Sequence, residues 1–378
     1  MFNLKSIPNN VGGKIALLRA DFNAPIIRGR ISDDFRLLKT LPTIQLLSRK
    51  GAKVILMSHF ECDGKFPSLH KTAAILKRKI KKFKFVNHVL GPEVEKIIKA
   101  MSVGDVLLLE NLRLNPGEKN NDASFAKKLA NLGDIYVNDA FSASHRKHAS
   151  IVGITEFLPS YAGPLFQDEV KNLSRVFFPP RPFLLIVGGN KFSTKAELLK
   201  KFFKKADRIV VGGLMVAPIL KTGGHGIGKT FVEKKSAVLA KELSSSRKIL
   251  MPKDLIVSTG SGKKRRVFFD EIGADEIIRD FGPESMKDIG REIKKSRFIL
   301  WNGPLGYIEK GFTHGTASLV RDLANSNAEV VAGGGDTVAF INRQKMMKKF
   351  SFVSTAGGAM LDFLISGTLP GIEALKKD

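Results

Sequence analysis

The chain has 378 residues, 43% of them hydrophobic, which is enough for two domains with ordinary cores. Its formal net charge of +26 favours anionic partners such as phosphorylated metabolites, nucleotides or nucleic acid. The single cysteine excludes an intrachain disulfide, the first residues lack the apolar stretch of a secretory signal, and no apolar run is long enough to cross a bilayer. We therefore expect a cytoplasmic protein without a membrane partner.

In the first half of the chain, short apolar runs alternate with segments of helical spacing, and each run ends in polar or charged side chains. The apolar runs lie at residues 14–18, 54–57, 106–109 and 135–137. Segments 72–80 and 124–132 repeat apolar residues at helical intervals. Continuous apolar strands that alternate with helices are typical of a parallel sheet covered on both faces.

The second half repeats this alternation, but its strands end in glycine. The apolar runs lie at residues 183–187, 209–211, 298–301 and 330–332. Residues 161–164 mark the boundary between the halves, and a helical segment at 168–175 follows. The sequence therefore predicts an α/β fold with two doubly wound, Rossmann-like parallel-sheet domains, residues 1–163 and 164–365, joined by that helix.

Ligands of open α/β sheets bind beyond the carboxyl ends of the strands, so the residues there are the candidates for function. In the first half these ends carry arginine, aspartate, asparagine and histidine, which indicates a basic pocket for a small anion. In the second half they carry glycine pairs and triplets, which indicates a pocket for a nucleotide.

Three glycine-rich segments of the second half are candidate phosphate sites. Residues 333–337 (GGGDT) follow a strand and open a helix, and their aspartate is placed to hold magnesium; the alternative is a tight turn with a capping aspartate. Residues 354–358 (STAGG) are a second anion nest or only a turn. Residues 188–195 place Lys191 and Lys195 four apart, where they either point at phosphates or are solvated.

Four arginines lie at or near strand ends of the first half: Arg19, Arg36, Arg113 and Arg146. Arginine grips carboxylate and phosphate groups with two parallel hydrogen bonds. One such arginine is usually a surface residue, whereas four in these positions favour an anion site.

Two other motifs are rejected on context. Residues 223–230 match the P-loop pattern, but a helix-like segment precedes them and a strand-like pair, Phe231 and Val232, follows, which reverses the order that a P-loop requires. Residues 280–282 (DFG) lack the catalytic-loop pattern that accompanies this motif in protein kinases.

Taken in order, the motifs from Arg19 to Leu375 resemble those of the phosphoglycerate kinase family. The matching segments are residues 19–25 (RADFNAP), 110–113 (ENLR), 138–150 (NDAFSASHRKHAS), 188–195 (GGNKFSTK), 301–306 (WNGPLG) with Glu309, 333–337 (GGGDT), 354–359 (STAGGA) and 369–375 (LPGIEAL).

The resemblance implies that the N-terminal domain binds 3-phosphoglycerate or 1,3-bisphosphoglycerate on a basic patch. The implied residues are Asp21, Asn23, Arg36, His59, Arg113, His145 and Arg146. It also implies that the C-terminal tail, about 366–378, packs back on this domain, and that hinge bending closes the two domains for in-line phosphoryl transfer in glycolysis or gluconeogenesis.

The C-terminal domain is implied to bind Mg²⁺ with ADP or ATP. The implied residues are Gly188, Gly189, Lys195, Gly212, Gly213, Asn302, Glu309, Gly333, Gly334, Gly335, Asp336 and Thr337. Glu309 would hold the ribose hydroxyls and Asp336 the magnesium. Three cations, Arg36, Lys191 and Lys195, would stabilise the transferring phosphoryl group. Two glycines, Gly357 and Gly358, would offer backbone N–H groups to it.

Four positions depart from the family pattern, one of them Asn190, which stands where the family's GGAKV motif has alanine. An arginine of the basic patch is replaced by Cys62, flanked by Glu61 and Asp63, and this change should weaken substrate binding. The first glycine of the family's STGGG motif is Ala356, which would be strained if the backbone there needs a positive φ. The serine after that motif is Met360.

Two other functions stay open at this point. Another carboxylate-directed phosphotransferase would suit the changed loop at Cys62, and a nucleic-acid-binding protein would suit the charge, although the zinc-finger, heptad and RNA-binding patterns are missing. The family is usually monomeric, and we expect a monomer.

Overall fold

The structure is a computed structural model that describes residues 2–23, 26–27, 30–31 and 35–376. The chain divides into two compact units, one of residues 1–171 with 366–378 and one of residues 172–365. Each unit is built around its own parallel sheet.

Unit 1 holds a six-stranded sheet and a short hairpin. Its strands are β1 (Ile15–Arg19), β2 (Ile26–Ile27), β3 (Arg30–Ile31), β4 (Lys53–Met57), β5 (Phe83–Phe85), β6 (Val106–Leu108), β7 (Ile135–Asn138) and β8 (Ser160–Ala162). Its helices are α1 (Phe35–Arg49), α2 (His70–Lys79), α3 (Pro92–Lys99), α4 (Pro116–Lys119), α5 (Ala123–Ala130) and α6 (Pro164–Ser174). The hairpin pairs β2 with β3.

The large sheet of unit 1 has the order β5-β6-β4-β1-β7-β8, and all its pairs are parallel. The chain leaves β1 toward β4 and β6 and later returns to the other side of β1 with β7. The order of the strands therefore reverses between β1 and β7. In such sheets the crevice at the carboxyl ends of the two strands is the usual ligand site.

Unit 2 holds a five-stranded parallel sheet and a three-stranded antiparallel one. Its strands are β9 (Phe183–Val187), β10 (Arg208–Val211), β11 (Asp254–Ser258), β12 (Lys264–Phe268), β13 (Ile277–Phe281), β14 (Phe298–Asn302), β15 (Glu329–Gly333) and β16 (Phe352–Val353). Its helices are α7 (Ser193–Phe203), α8 (Val216–Thr222), α9 (Ala237–Ser244), α10 (Pro283–Lys295), α11 (His314–Ala324), α12 (Gly335–Arg343) and α13 (Gly358–Ser366).

The parallel sheet of unit 2 has the order β10-β9-β14-β15-β16, so its order reverses between β9 and β14. All five residues of β9 and all five of β14 are buried. Burial on both faces is the reason that these strands are continuous apolar runs, as expected for a sheet with helices on each side. The antiparallel sheet, β12-β11-β13, was not predicted.

The last segment of the chain, with α14 (Pro370–Ala374), belongs to unit 1. The Gly371 N–H donates a hydrogen bond to the Ser144 carbonyl at 2.9 Å. A Cβ added at Gly371 would lie 2.6 Å from the Cβ of Ser144, so the two backbones meet in a contact that only glycine allows.

Candidate active site

The loop after β1 carries the first predicted site residues. Asp21 is buried, its Oδ1 accepts the Asn23 N–H at 2.9 Å, and its Oδ2 accepts from Arg36 Nη1 at 3.1 Å and from the Ser142 hydroxyl. Burial acts to raise the pKa of Asp21, but the positive charge of Arg36 and the other donors outweigh it and lower the pKa to about 2. The carboxylate is therefore ionised and fixes Arg36 beside the end of β1.

A network of hydrogen-bonded, buried polar side chains packs against this loop. Arg19, at the end of β1, is fully buried; its Nε donates to the Ser150 hydroxyl at 2.8 Å and its Nη2 to His59 Nδ1 at 3.1 Å. The Ser150 hydroxyl donates to Glu118 Oε1 at 2.6 Å. Burial, with the charge of Arg19, lowers the pKa of His59 well below its usual value, so His59 is neutral and accepts from Arg19 through Nδ1.

Arg113 lies in the 3-10 turn Leu112–Leu114 after β6, and its Nη1 forms an ion pair with Glu61 Oε2. The Arg113 side chain is 3% exposed and that of Glu61 is 33% exposed. Burial lowers the pKa of Arg113 to about 10, and the charges of Arg146 and Arg19 add to this effect. The predicted loss of positive charge at Cys62 is thus accompanied by a carboxylate placed directly on a patch arginine.

The two remaining patch residues lie after β7, the strand on the other side of the switch. Arg146 is exposed, and its Nε contacts His145 Nε2 at 3.1 Å. The neighbouring His148 is buried, and burial, together with the charge of Arg113, lowers its pKa to about 4. The structure therefore gathers the seven predicted residues around the ends of β1, β4, β6 and β7.

Two residues of this network, Asn111 and Ser142, were not predicted as site residues. Asn111 is fully buried and ties the loop after β4 to the end of β6 (its Nδ2 donates to the carbonyls of Phe60 and Pro67 at 2.7 and 2.8 Å). Ser142 binds Asp21 from the segment after β7. Asn111 lies three residues after β6 and Ser142 four residues after β7, so a hydroxyl or amide in the first few residues beyond a parallel strand is the sequence signal that could have identified both.

In unit 2, a cavity of about 250 Å³ opens at the switch between β9 and β14. Its lining consists mainly of glycine and short polar side chains. The lining residues are Gly188, Gly189, Asn190, Lys191, Thr194, Lys195, Asn302, Gly303, Pro304, Gly334, Gly335, Asp336 and Thr337.

The backbones of two loops touch at the floor of this cavity. A Cβ added at Gly188 would overlap the carbonyl oxygen of Pro304, and one added at Gly303 would overlap that of Gly188. Gly334, with φ +102°, turns the chain from β15 into α12. Glycine is required here because the loops approach each other more closely than any side chain permits.

Lys195 is the partly buried cation of the cavity, and its Nζ contacts Asn302 Oδ1. Desolvation lowers the pKa of Lys195 to about 8, although the negative charge of Asp336 acts in the opposite direction. Asp336 lies in the first turn of α12, and Lys191 is exposed just before α7. A lysine and a carboxylate therefore face a space lined by backbone N–H groups at helix starts, an arrangement suited to phosphate.

Four predicted nucleotide residues are not part of the cavity lining in the described structure: Gly212, Gly213, Gly333 and Glu309. Two of them stand directly behind the lining. A Cβ at Gly213 would lie 2.5 Å from the Gly189 carbonyl oxygen, and one at Gly333 would overlap Met360 Sδ. Glu309 is exposed on the 3-10 turn Ile308–Lys310.

The segment before α13 differs from one sequence expectation. Ala356 is buried, and φ is positive at Gly357 (+57°) rather than at Ala356. The alanine is therefore unstrained, because the left-handed position falls on the following glycine. Gly357 and Gly358 lie at the start of α13, as predicted, and Met360 Sδ lies 3.8 Å from Asn302 Nδ2.

The P-loop-like segment is rejected by its surroundings. Helix α8 precedes residues 223–230, as predicted, whereas the predicted strand at Phe231 and Val232 is wrong, since neither residue is in a strand. The Lys229 N–H donates to the Glu276 carbonyl at 2.7 Å, so it does not face an anion. The backbone N–H of Lys229, which a P-loop would direct at a phosphate, is therefore hydrogen-bonded within the protein instead.

The described residues lack two features, a cluster of metal-ligating side chains and a membrane-spanning helix. They contain no group of three or more His, Cys, Asp or Glu side chains that could hold a metal ion. No helix among them is long and apolar enough to cross a membrane. Asp336 is therefore a lone carboxylate at the cavity; Mg²⁺ is commonly bound in this way, by one or two carboxylates together with substrate phosphates.

Comparison with known proteins gives one consistent result. The family model described as phosphoglycerate kinase matches residues 5–367. The phosphoglycerate kinases of Coprothermobacter proteolyticus and Moorella thermoacetica are 42% and 39% identical to the chain, with 98% and 97% of each sequence covered. The solved structure of phosphoglycerate kinase from Coxiella burnetii superposes with a TM-score of 0.84 at 35% identity, covering 99% of this chain and 98% of that one.

Proposed function

The chain belongs to the phosphoglycerate kinase family, and from this premise we propose how its residues divide the work of the reaction. The family activity is phosphoryl transfer between an acyl phosphate and ADP in glycolysis and gluconeogenesis, and this chain is such a phosphotransferase. Its substrates are those of the family. The assignment of residues, domains and metal below is the proposal.

In the proposed assignment, the domain of residues 1–163 with the tail binds the phosphoglycerate, and residues 164–365 bind the nucleotide. The observation that carries the assignment is the contrast between the two switch points. One holds a ring of buried and half-buried cations, including Arg36 and Arg113, and the other holds a glycine-lined cavity with Lys195 and Asp336. A compact, highly charged anion suits the first, and a polyphosphate suits the second.

For the nucleotide site, we propose that Lys191 and Lys195 contact phosphate oxygens while the backbone N–H groups of the α12 and α13 starts complete the cradle. Asp336 would hold Mg²⁺, because a single carboxylate beside a phosphate cradle fits an ion that arrives with the nucleotide. The ion supplies positive charge to the phosphate oxygens. Glu309 is proposed as the ribose partner on the family resemblance alone.

The proposed chemistry needs charge and alignment rather than a general base. The attacking oxygen of ADP is already anionic, and the bond from phosphorus to the acyl oxygen breaks as the new bond forms, with the electron pair leaving on the carboxylate. Arg36, Lys191 and Lys195 would offset the negative charge on the transferring group. Domain closure and the monomeric state stay predictions from the family resemblance, and the cytoplasmic location stays a prediction from the composition.

The experiment is ATP formation from Mg-ADP and freshly generated 1,3-bisphosphoglycerate. Lys195→Met should lower kcat by about 10²- to 10³-fold, since it removes a cation that faces the transferring group. Lys200→Met is the matched control, because Lys200 is on the same helix, is exposed and pairs with Glu197 outside the cavity. Lys191→Ala tests the second lysine in the same assay.

Equal turnover in Lys195→Met and the wild type would contradict the role of this lysine. A folded wild type that binds ADP but gives no turnover would direct attention to other acyl phosphates.

Nucleic-acid binding loses support at the basic segment of residues 263–266. Arg265 pairs with Glu276 and Arg266 with Asp254, so these charges are used within unit 2. Salt-sensitive binding to duplex or single-stranded nucleic acid, measured alongside turnover, would revive this alternative.

A further inference from the structure

The carboxylate of Glu61 occupies one edge of the Arg113 guanidinium. The two side chains form an ion pair between Oε2 and Nη1, and the arginine is almost fully buried. The Arg113 Nε has no hydrogen-bond partner among the described residues. Arg113 thus presents to the site a guanidinium with one edge covered by a protein carboxylate.

The position of Glu61 is fixed by its backbone. Its N–H donates to Asn23 Oδ1 at 3.1 Å. The preceding Phe60 is held by Asn111, whose Oδ1 accepts from the Phe60 N–H at 3.2 Å and from the Arg113 N–H at 3.1 Å. Because one buried asparagine holds the backbone of Arg113 and of the residue before Glu61, the loop structure places the two side chains next to each other.

The charges around Arg113 explain why it needs a partner. Arg146 and Arg19 are close enough to lower its pKa. Glu118 and Asp21 act in the opposite direction and raise this pKa, but each is bound to another group: Asp21 pairs with Arg36, and Glu118 accepts two hydrogen bonds from Ser150, so neither contacts the guanidinium as Glu61 does. A buried guanidinium among like charges is costly without an anion, and Glu61 supplies that anion.

We propose that Glu61 is an internal counter-ion that the anionic group of the substrate must displace from Arg113, so that Glu61 sets the affinity of the phosphoglycerate site. The inference rests on the proposed function, in which Arg113 binds the phosphoglycerate. A phosphate monoester carries nearly two negative charges at neutral pH and binds a guanidinium in a bidentate manner, so it can replace a single carboxylate. The free energy of the Glu61–Arg113 pair is then subtracted from binding, which raises both Kd and KM.

The first measurement is the Kd of 3-phosphoglycerate, and of inorganic phosphate as a simple anion probe, by titration calorimetry. Glu61→Gln should lower both dissociation constants about three- to tenfold, the range expected for loss of a partly exposed ion pair. The KM for phosphoglycerate should fall in parallel while kcat does not rise. Glu61→Ala, which removes the acceptor, should lower the Kd at least as much.

Asp63→Asn is the matched control. It removes one negative charge two residues away, from an exposed side chain at φ +49°, a conformation that asparagine tolerates. Its Kd should stay within twofold of wild type. An equal gain in Asp63→Asn would overturn the inference, because the effect would then come from the general field.

The melting temperature of the ligand-free protein provides a second readout. Without Glu61 the buried Arg113 lacks its counter-ion, so the Tm of the ligand-free protein should fall, and the increase in Tm on adding phosphoglycerate should exceed that of wild type. This combination distinguishes a competing counter-ion from a residue that only orients Arg113, whose loss would weaken binding.

Arg113→Met distinguishes failure of the counter-ion inference from failure of the proposed function. If Arg113→Met weakens phosphoglycerate binding while Glu61→Gln leaves the Kd unchanged or raises it, the counter-ion inference is wrong and the proposed function stands. If Arg113→Met binds phosphoglycerate like wild type, the assignment of this site fails, whatever Glu61 does.

Discussion

The two switch points of this molecule, each of which we propose to bind phosphate, are built from different chemical groups. In unit 1 the groups are side chains: Arg36 and Arg113 are each set by a carboxylate, and a buried layer around Arg19 supports them. In unit 2 the groups are mostly backbone, brought together by glycines at Gly188 and Gly303. The first site should therefore be sensitive to loss of charge, and the second to the addition of a single methyl group.

The largest expected effect tests the backbone site. Gly188→Ala should weaken Mg-ADP binding on the order of 100-fold, because the added methyl group forces the Pro304 loop away from β9 at a cost of about 1–3 kcal/mol. Phosphoglycerate binding should change less than twofold, since unit 1 has its own core. Titration of each ligand into the same protein measures both.

Gly260→Ala is the control for that change. Gly260 lies in the loop after β11, outside the cavity lining; a Cβ there would meet nothing within 4 Å, and its φ is not positive, so the variant should keep the wild-type ADP affinity and Tm. If Gly188→Ala binds ADP as tightly as the wild type does, the comparison fails, because the close backbone contact would then not define the site.

The second effect tests the side-chain site. Arg36→Met should raise the Kd of phosphoglycerate roughly 10- to 100-fold, because it removes a charged donor and leaves Asp21 without its main counter-ion. Mg-ADP affinity should stay unchanged. Lys39→Met, an exposed cation on the same helix, is the matched control. Equal losses in the two variants would mean that net charge, and not the placement of Arg36, attracts the substrate.

The same contrast explains what the sequence could predict. Strands buried on both faces, such as β9 and β14, are continuous apolar runs, and the sequence predicted them for that reason. The short edge strand β5 (FKF) and the exposed strand β12 (KRRVF) lack that signal and were missed. Strain at Ala356 was left conditional because the sequence does not show which residue of a glycine-rich turn takes the positive φ, which the structure places at Gly357.

Contacts between loops could not be predicted from the sequence, for a different reason. The acidic residues beside Cys62 were expected to weaken substrate binding, but only the structure shows that Glu61, and not Asp63, reaches Arg113. Likewise, the binding of Ser142 to Asp21 joins residues 121 positions apart. Such pairs depend on how two loops that are distant in the sequence fold together, which local sequence patterns do not encode.

A pH titration sharpens the comparison with an effect of about tenfold. The pKa of Lys195 is lowered to about 8, so its charged fraction falls as pH rises through that value. Mg-ADP affinity should therefore decrease about tenfold between pH 7 and pH 9 if the charged lysine is required. Phosphoglycerate affinity should stay nearly constant, because its site relies on arginines, and even Arg113, with a pKa of about 10, remains mostly charged.

Lys195→Arg is the variant that isolates this lysine. Arginine stays protonated over the whole range, so the decrease in Mg-ADP affinity above pH 8 should disappear even if the absolute affinity is lower. An unchanged decrease in Lys195→Arg would assign the titration to another group.

The smallest effect concerns one buried carboxylate in each unit. Burial raises the pKa of both Asp139, after β7, and Asp280, in β13, to about 6. A carboxyl group with a folded-state pKa above its unfolded value of 3.8 holds more protons in the folded state between these values. The free energy of unfolding must therefore decrease as pH rises from about 4 to 6, and both acids destabilise the protein at pH 7.

The two sites differ in their hydrogen bonds, and this difference predicts opposite outcomes for the asparagine variants. Asp139 Oδ1 accepts from the Phe166 N–H at 3.1 Å, and the Thr43 side chain and the Leu165 backbone also act to lower the pKa of this carboxyl, but Oδ2 has no hydrogen-bond partner of ordinary geometry among the described residues. Asp139→Asn keeps the first bond and removes the buried charge, so it should raise the free energy of unfolding at pH 7 by about 1 kcal/mol.

Both oxygens of Asp280 accept backbone N–H groups, from Phe281 and Gly315. An amide nitrogen there would face a donor, so Asp280→Asn should lower the free energy of unfolding by about 1–3 kcal/mol. Urea unfolding at pH 5 and pH 7 checks both, and the pH dependence should weaken in each variant. Stabilisation of both variants, or of neither, would mean that hydrogen-bond satisfaction does not distinguish these two buried acids.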